Sequence, residues 1–397
     1  MKIDNSRVIS TGSTSKDRLH LRSATEVHWS GRKHDSVETR RLHAVFSVLP
    51  TIPYIRLLSL YRADINHAQQ AIIFGLSTLR TLVVHTCRFD PPKRRRPISR
   101  VTDLILTNTN MQTTQRLLKI LADTVESLEV IYYGDPTDST LQGGLIELPK
   151  ISSFTMRCHH QARGLAIWDT FNQYKSITII YIPLHSYLPD VSFHHSVLPA
   201  LRHVTCAQNL AVTLIPQRPV TTYVEARSRP EGGRRRLLNS LSKTRGKITN
   251  LKISVPDHLY SLLPSLATSL PDLEQLSLSC YHNGVAWLGA SSPDHLLWSN
   301  PPGAAAVILP KLKRVTILLD NDQFKPPYMS SECLRNKYFI PVCPALEVFE
   351  CLCIPFYSLD CDFVLEPEPD RAWKTRRLPD GSWERQGPPP IPVRYSP

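Results

Sequence analysis

A short apolar pattern recurs along the whole chain, and no other feature restricts the fold as strongly. The template is apolar-x-x-apolar-x-apolar. It matches Ile55/Leu58/Leu60, Leu79/Leu82/Val84, Val101/Leu104/Leu106, Leu128/Ile131/Tyr133, Ile151/Phe154/Met156 and Ile177/Ile180/Ile182. It continues at Leu201/Val204/Cys206, Ile248/Leu251/Ile253, Leu273/Leu276/Leu278, Leu312/Val315/Ile317 and Leu346/Phe349/Cys351. The first-position spacings are 24, 22, 27, 23, 26, 24, 47, 25, 39 and 34 residues. The first six fall in the period of about 20–29 residues expected of leucine-rich repeats. The 47-residue step has room for a decayed repeat at Val220 and Tyr223, whose third position is Glu225.

Positions four and six of the template are two residues apart, so both side chains point to one face of a short strand. Such a strand is stable only when its neighbours stack on it and bury a continuous core. The segments between matches carry helical spacing. Leu117, Leu118, Leu121 and Val125 form one stripe, and Leu42, Val45, Phe46 and Leu49 form another over 36–49. A third helix is expected after Pro256, capped by Asp257, with Leu259, Leu262, Leu263 and Leu266 on one side. The expected fold is therefore α/β: an irregular leucine-rich-repeat solenoid, an arc with a concave parallel sheet and helices on its convex side.

A second punctuation accompanies the first. Leu-Pro-x-apolar recurs at 148–151, 198–201, 270–273 and 309–312, with Cys343-Pro344-Ala345-Leu346 as a variant. Proline there is expected to stop a helix and start an extended segment. It explains part of a composition with 33 prolines and only 15 glycines. The Leu-Pro-x-apolar motif, the variable period and the proline content resemble the repeat half of fungal F-box/leucine-rich-repeat-like proteins, over roughly residues 36–355. The resemblance implies a substrate receptor for a ubiquitin ligase, and an adaptor as partner if an F-box lies upstream. Residues 1–48 show no F-box segment.

Three parts are expected: a basic N-terminal segment (1–35) with a first strand near 24–29, the solenoid (36–355), and a C-terminal part (356–397). Asp380-Gly381 is a hairpin signal. A two-residue turn there puts Leu378 opposite Trp383 and Arg377 opposite Glu384, giving a hairpin that caps the last repeat. Pro389-x-x-Pro392-x-Arg394 matches a proline-rich ligand pattern.

The function classes narrow by what is missing. No nucleophile elbow, Walker A loop, dinucleotide fingerprint or zincin motif occurs, so no enzyme and no cofactor are expected. Cys351-x-Cys353 lacks the two-to-four-residue gap that lets two thiolates reach one zinc, so no metal is expected. The start has no signal-peptide apolar region, and no apolar run spans a bilayer. The nine cysteines are odd in number and scattered, which suggests a reducing interior, cytoplasmic, nuclear or both.

What remains is recognition of another macromolecule. Template positions 3, 5 and 7 alternate with the core and face outward. On that concave face the candidate protein-binding residues are Tyr132, Arg157, Tyr181, His203, Asn250, Lys252, Gln275 and Arg314. Tyr and Arg are enriched among residues that dominate interface energies. The net charge of +13 concentrates in two insertions. Lys93, Arg94, Arg95 and Arg96, flanked by prolines, fit a nuclear import signal. Arg227 to Arg236 form the second basic stretch. The alternative function is a nuclear, nucleic-acid-associated protein using these loops. Neither loop carries stacking aromatics, which single-strand binding would need.

Overall fold

The computed structural model describes residues 25–30, 36–91, 99–132, 148–158, 171, 174–182, 193–226, 234–255, 262–280, 309–320, 335–354 and 372–386. The chain divides into two units, Met1–Leu201 and Arg202–Pro397.

The first unit contains β1 (Glu26–Ser30), α1 (Ser36–Val48), β2 (Leu57–Tyr61), β3 (Asp64–Ile65), α2 (His67–Gly75), β4 (Thr81–His85) and β5 (Arg88–Phe89). It continues with β6 (Asp103–Thr107), α3 (Met111–Leu121), β7 (Ser127–Tyr132), β8 (Ser153–Cys158) and β9 (Ile179–Ile182). The strand order is β1-β2-β4-β6-β7-β8-β9, with every pair parallel. β3 and β5 pair in a separate two-stranded ladder.

The second unit contains β10 (His203–Cys206), α4 (Gln208–Leu214), β11 (Thr222–Glu225), α5 (Arg234–Ser242), β12 (Asn250–Val255), α6 (Leu262–Ser269) and β13 (Gln275–Cys280). β14 (Arg314–Asp320), β15 (Val348–Ile354), β16 (Ala372–Arg377) and β17 (Trp383–Gln386) follow. β10 to β15 are parallel in sequence order. β16 and β17 then add antiparallel, so the hairpin covers the edge of β15.

Each unit is an α/β leucine-rich-repeat solenoid. One backbone device repeats in both. The N–H groups at template positions 2 and 3 both donate to the position-2 carbonyl of the preceding repeat. Arg80 and Thr81 donate to the Arg56 carbonyl (2.8 and 2.9 Å), and Thr102 and Asp103 to that of Arg80 (2.9 and 3.0 Å). In the second unit, Thr249 and Asn250 donate to the Thr221 carbonyl (2.9 and 3.2 Å). This shared acceptor fixes the stagger of successive repeats.

The device corrects one sequence assignment. Glu126 and Ser127 donate to the Thr102 carbonyl at 2.8 and 3.0 Å, so Val125, not Leu128, is the first position of that repeat. Val125, Leu128 and Val130 are buried while Ile131 is only partly so. The first-unit spacings become 24, 22, 24, 26, 26 and 24 residues. A shift of three residues is odd, so it reverses which side chains face the core. Tyr132 then lies at a backbone position of core parity, in register with Cys158. The fifth position of this repeat is therefore Glu129 and not Tyr132, whose side chain lies outside the described residues.

The decayed repeat is real. Val220 and Tyr223 are fully buried and Glu225 nearly so, and β11 pairs with β10 and β12. At 270–273 the Leu-Pro-x-apolar motif follows the end of α6 and leads into β13, as expected, and the motifs share a further feature. They are tight turns closed by i to i+3 hydrogen bonds. Examples are Ile151 N–H to the Leu148 carbonyl (3.2 Å) and Leu312 N–H to that of Leu309 (3.3 Å). Proline's fixed φ suits position i+1 of such a turn, and the apolar residues at both ends of each are buried.

The helices carry the expected stripes: Leu42 and Phe46 on α1, and Leu117, Leu118 and Leu121 on α3, are buried. Asn110 caps α3 by accepting from Thr113 N–H at 2.9 Å. α6 starts at Leu262, while Asp257 and Leu259 lie outside the described residues. Arg234, expected in a basic loop, opens α5 instead and is half-buried.

The tail hairpin is shifted by one residue from its expected register. Arg377 faces Trp383 and Arg376 faces Glu384. Pro379, with its preset φ, favours position i+1 of a turn closed by Gly381 N–H to the Leu378 carbonyl (3.0 Å). Only Gly381 then needs a positive φ (+86°), giving a three-residue loop with glycine in the left-handed region. The Asp380 carboxylate accepts from Ser382 N–H at 2.9 Å and so completes the turn.

Strands β2, β4 and β6 end on residues in the left-handed region: Arg62, Thr86 and Asn108, with φ of 52°, 51° and 47°. Each donates its N–H to the next strand's position-7 carbonyl at 2.9 Å. A β-branched residue is strained there, while asparagine tolerates the conformation. Thr86→Asn is therefore expected to stabilise the first unit by about 0.5–1.5 kcal/mol. Chemical denaturation measures this, and a loss of stability contradicts it.

Candidate functional site: the outward face of the sheet

In the first unit the outward positions form three rows in register. The first row is Leu57, Thr81, Asp103, Ser127, Ser153 and Ile179. The second is Ser59, Val83, Ile105, Glu129, Thr155 and Tyr181. The third is Tyr61, His85, Thr107, Ile131 and Arg157. Leu57, Val83, Ile105 and Ile131 are half-buried, and Ile179 is 42% exposed. A sheet face that only meets water carries mostly polar residues, and these five aliphatic side chains depart from that pattern.

Two polar clusters flank these aliphatics. Arg157, on β8, lies with Nε 3.0 Å from Glu129 Oε1 on β7. Its guanidinium also sits 5.4 Å from the ring centroid of Tyr181 on β9. Two residues expected at the site, Arg157 and Tyr181, thus meet directly, and Arg157 also pairs with Glu129, which the slipped register had hidden. At the other side Tyr61 stacks on His85 with ring centroids 4.2 Å apart and 22° between planes. The Arg62 guanidinium lies 4.9 Å from the Tyr61 ring. Burial, and then the nearby Arg62 charge, holds the His85 imidazole below its ordinary pKa.

Beside this stack, at the strand ends, is a cavity of about 200 Å³ lined by Arg62, Asp64, Thr86, Cys87, Arg88, Asn108 and Asn110. Cys87 is not a nucleophile there. Burial pushes its thiol up to about 11, and Sγ donates toward the Leu60 carbonyl at 3.3 Å while accepting from Ala63 N–H at 3.4 Å. The Cys343 thiol is likewise raised by burial, to about 12. Neutral thiols are poor nucleophiles and poor metal ligands.

In the second unit His203, Asn250, Gln275 and Arg314 fall in one register row, with Thr222 between the first two. His203, Gln275 and Arg314 are exposed, and the Asn250 amide donates to Gln275 Oε1 at 3.3 Å. Lys252 lies in the neighbouring row, and burial lowers its pKa. Further along, Glu350 accepts from the Thr316 hydroxyl at 3.1 Å and pairs with Lys374 at 2.9 Å. Half-buried aliphatics occupy outward positions here too: Val224, Leu318, Val348 and Leu352.

The candidates expected from the sequence were polar and aromatic residues of the middle repeats, and the slipped frame put Ile131 in the core. They therefore missed Val83, Ile105, Ile131 and the Tyr61–His85 stack. An available signal was apolar side chains at outward positions. Lys93, Arg94, Arg95 and Arg96, Arg227 and Arg229, and the proline-rich tail lie outside the described residues. Among the described residues, no three His, Cys, Asp or Glu side chains gather as metal ligands, and no helix is long and apolar enough to cross a membrane.

The sequence matches no protein-family model and no curated protein. Among solved structures, the chain is similar to an internalin (inlF) from Listeria monocytogenes str. 4b F2365. The identity is 12% and the TM-score 0.32, with 76% of this chain and 82% of that chain covered. At that TM-score the likeness carries no argument, and the repeat fold rests on the strand register, the shared carbonyl acceptors and the alternating burial.

Proposed function

We propose that this chain is a non-catalytic protein-recognition module of the leucine-rich-repeat type, and that it docks a protein partner on the outward face of its first unit. The observation that carries this is the aliphatic row set of Leu57, Val83, Ile105, Ile131 and Ile179, bounded by the Glu129–Arg157–Tyr181 cluster and the Tyr61–His85 stack. Apolar anchors inside a polar rim are the usual composition of a docking patch. His203, Asn250, Lys252, Gln275 and Arg314 offer a separate, polar surface on the second unit.

A photo-crosslinking amino acid placed at position 105 tests the reading against one at position 236, on the exposed side of α5. Protein adducts are expected at 105, absent at 236, and lost when Val83→Asp is added. Equal labelling at both positions rejects the face.

The finer reading, a substrate receptor of F-box-like descent for a ubiquitin ligase, rests on the Leu-Pro-x-apolar turns and the variable period. Co-purification of the ligase adaptor with the full-length natural protein is its expected signature. Its absence removes the ligase role and leaves recognition standing. Nucleic-acid binding through the basic stretches has less support than it had from the sequence, because Arg234 is spent on a buried carboxylate.

A further inference from the structure

The cavity at the ends of β2, β4 and β6 is distinct from the aliphatic face, and its chemistry is specific. At about 200 Å³ it is smaller than the roughly 300 Å³ at which drug-sized ligand pockets begin. It therefore suits one side chain or a small ion. Arg62 and Arg88 line it, and guanidinium groups stay charged at any ordinary pH. Asp64, in register with Arg88, offsets one of the two charges, leaving the lining net positive. The cap residue of α3, Asn110, also lines the cavity. That eleven-residue helix has no acidic residue in its first turn, so its positive end is not neutralised. The buried, hydrogen-bonded Cys87 makes the floor unreactive, so the cavity is built for binding and not for covalent chemistry.

We propose that this cavity is a carboxylate subsite that receives an aspartate or glutamate side chain of the protein docked on the adjoining face. The proposal rests on the recognition reading above. The Tyr61–His85 stack joins the two surfaces. The guanidinium of Arg62 lies at the Tyr61 ring, on the border between face and cavity. A guanidinium binds a carboxylate through two parallel N–H donors, so two arginines around so small a volume select a planar anion.

The test uses the full chain and three probes: a blocked tetra-glutamate peptide, its tetra-glutamine counterpart and inorganic phosphate. NMR resonances of His85 and Thr86 report on the cavity. Tetra-glutamate is expected to shift them saturably, and tetra-glutamine is not. Arg62→Gln with Arg88→Gln is expected to weaken tetra-glutamate binding at least tenfold, with resonances elsewhere in the sheet unchanged. No saturable shift with tetra-glutamate overturns the proposal, as does binding that the double variant leaves intact. Binding of phosphate with tetra-glutamate excluded also overturns it, since the site would then serve a tetrahedral anion. Ile105→Asp separates the two readings: it weakens docking on the face yet leaves the peptide bound in the cavity.

Discussion

Arg234→Ala is expected to cost about 3–5 kcal/mol of unfolding free energy, the range for breaking a buried ion pair on one side. Glu225 occupies the sixth template position of its repeat, where other repeats place Leu, Val, Ile, Met or Cys. Its side chain has no exposed surface, and Arg234 retains 15%. Glu225 Oε2 accepts from Arg234 Nη1 at 2.9 Å and from Ser254 N–H at 2.6 Å. The second Arg234 nitrogen donates to the Ser254 carbonyl. One carboxylate and one guanidinium thus replace the backbone pairing that the short strand β11 cannot supply at this level. Without Arg234, the buried carboxylate loses its cation, while the Ser254 N–H still donates to it.

Glu225→Leu should cost less, because Arg234 is at the margin and can turn to water. The double variant should be no less stable than Arg234→Ala alone, since the stranded charge is gone. Urea denaturation of the four proteins gives the coupling energy directly. A cost below about 1 kcal/mol for Arg234→Ala, with additive singles, means that the pair contributes nothing to the fold.

The second large effect separates two neighbouring residues. Val130→Asp is expected to destabilise the first unit on the order of 4 kcal/mol, because a carboxylate is forced into the core between Leu106 and Met156. Ile131→Asp is expected to cost less than about 1 kcal/mol, since Ile131 faces outward beside Thr107 and Arg157. The register with Ile131 inward predicts the reverse order. Thermal unfolding of the two variants decides between them.

That pair also shows how far a linear pattern reaches. The run from Val125 to Tyr133 fits the repeat template twice, at Val125/Leu128/Val130 and at Leu128/Ile131/Tyr133. Both choices are apolar, and both lie close to the required period. The neighbouring strand discriminates, because only Val125 places two N–H groups on the Thr102 carbonyl. Glu225 is a similar case. A charged residue at a core position reads as decay until Arg234, nine residues on, is seen to turn back to it. The hairpin register depended on Pro379, whose fixed φ outweighed the Asp-Gly signal.

The apolar repeat therefore determined much without help. Period, strand parity and helical stripes are local consequences of side-chain alternation and of burial, and ten of the eleven matches hold their register. Tertiary structure decided the rest. Which of two equivalent frames a strand adopts, which buried charge finds a partner, and which outward residues meet are set by hydrogen bonds and contacts between residues about 10–30 positions apart. A template read along the chain has no access to them. The aliphatic outward face and the arginine-lined cavity belong to that second class, because each exists only once neighbouring strands lie in register.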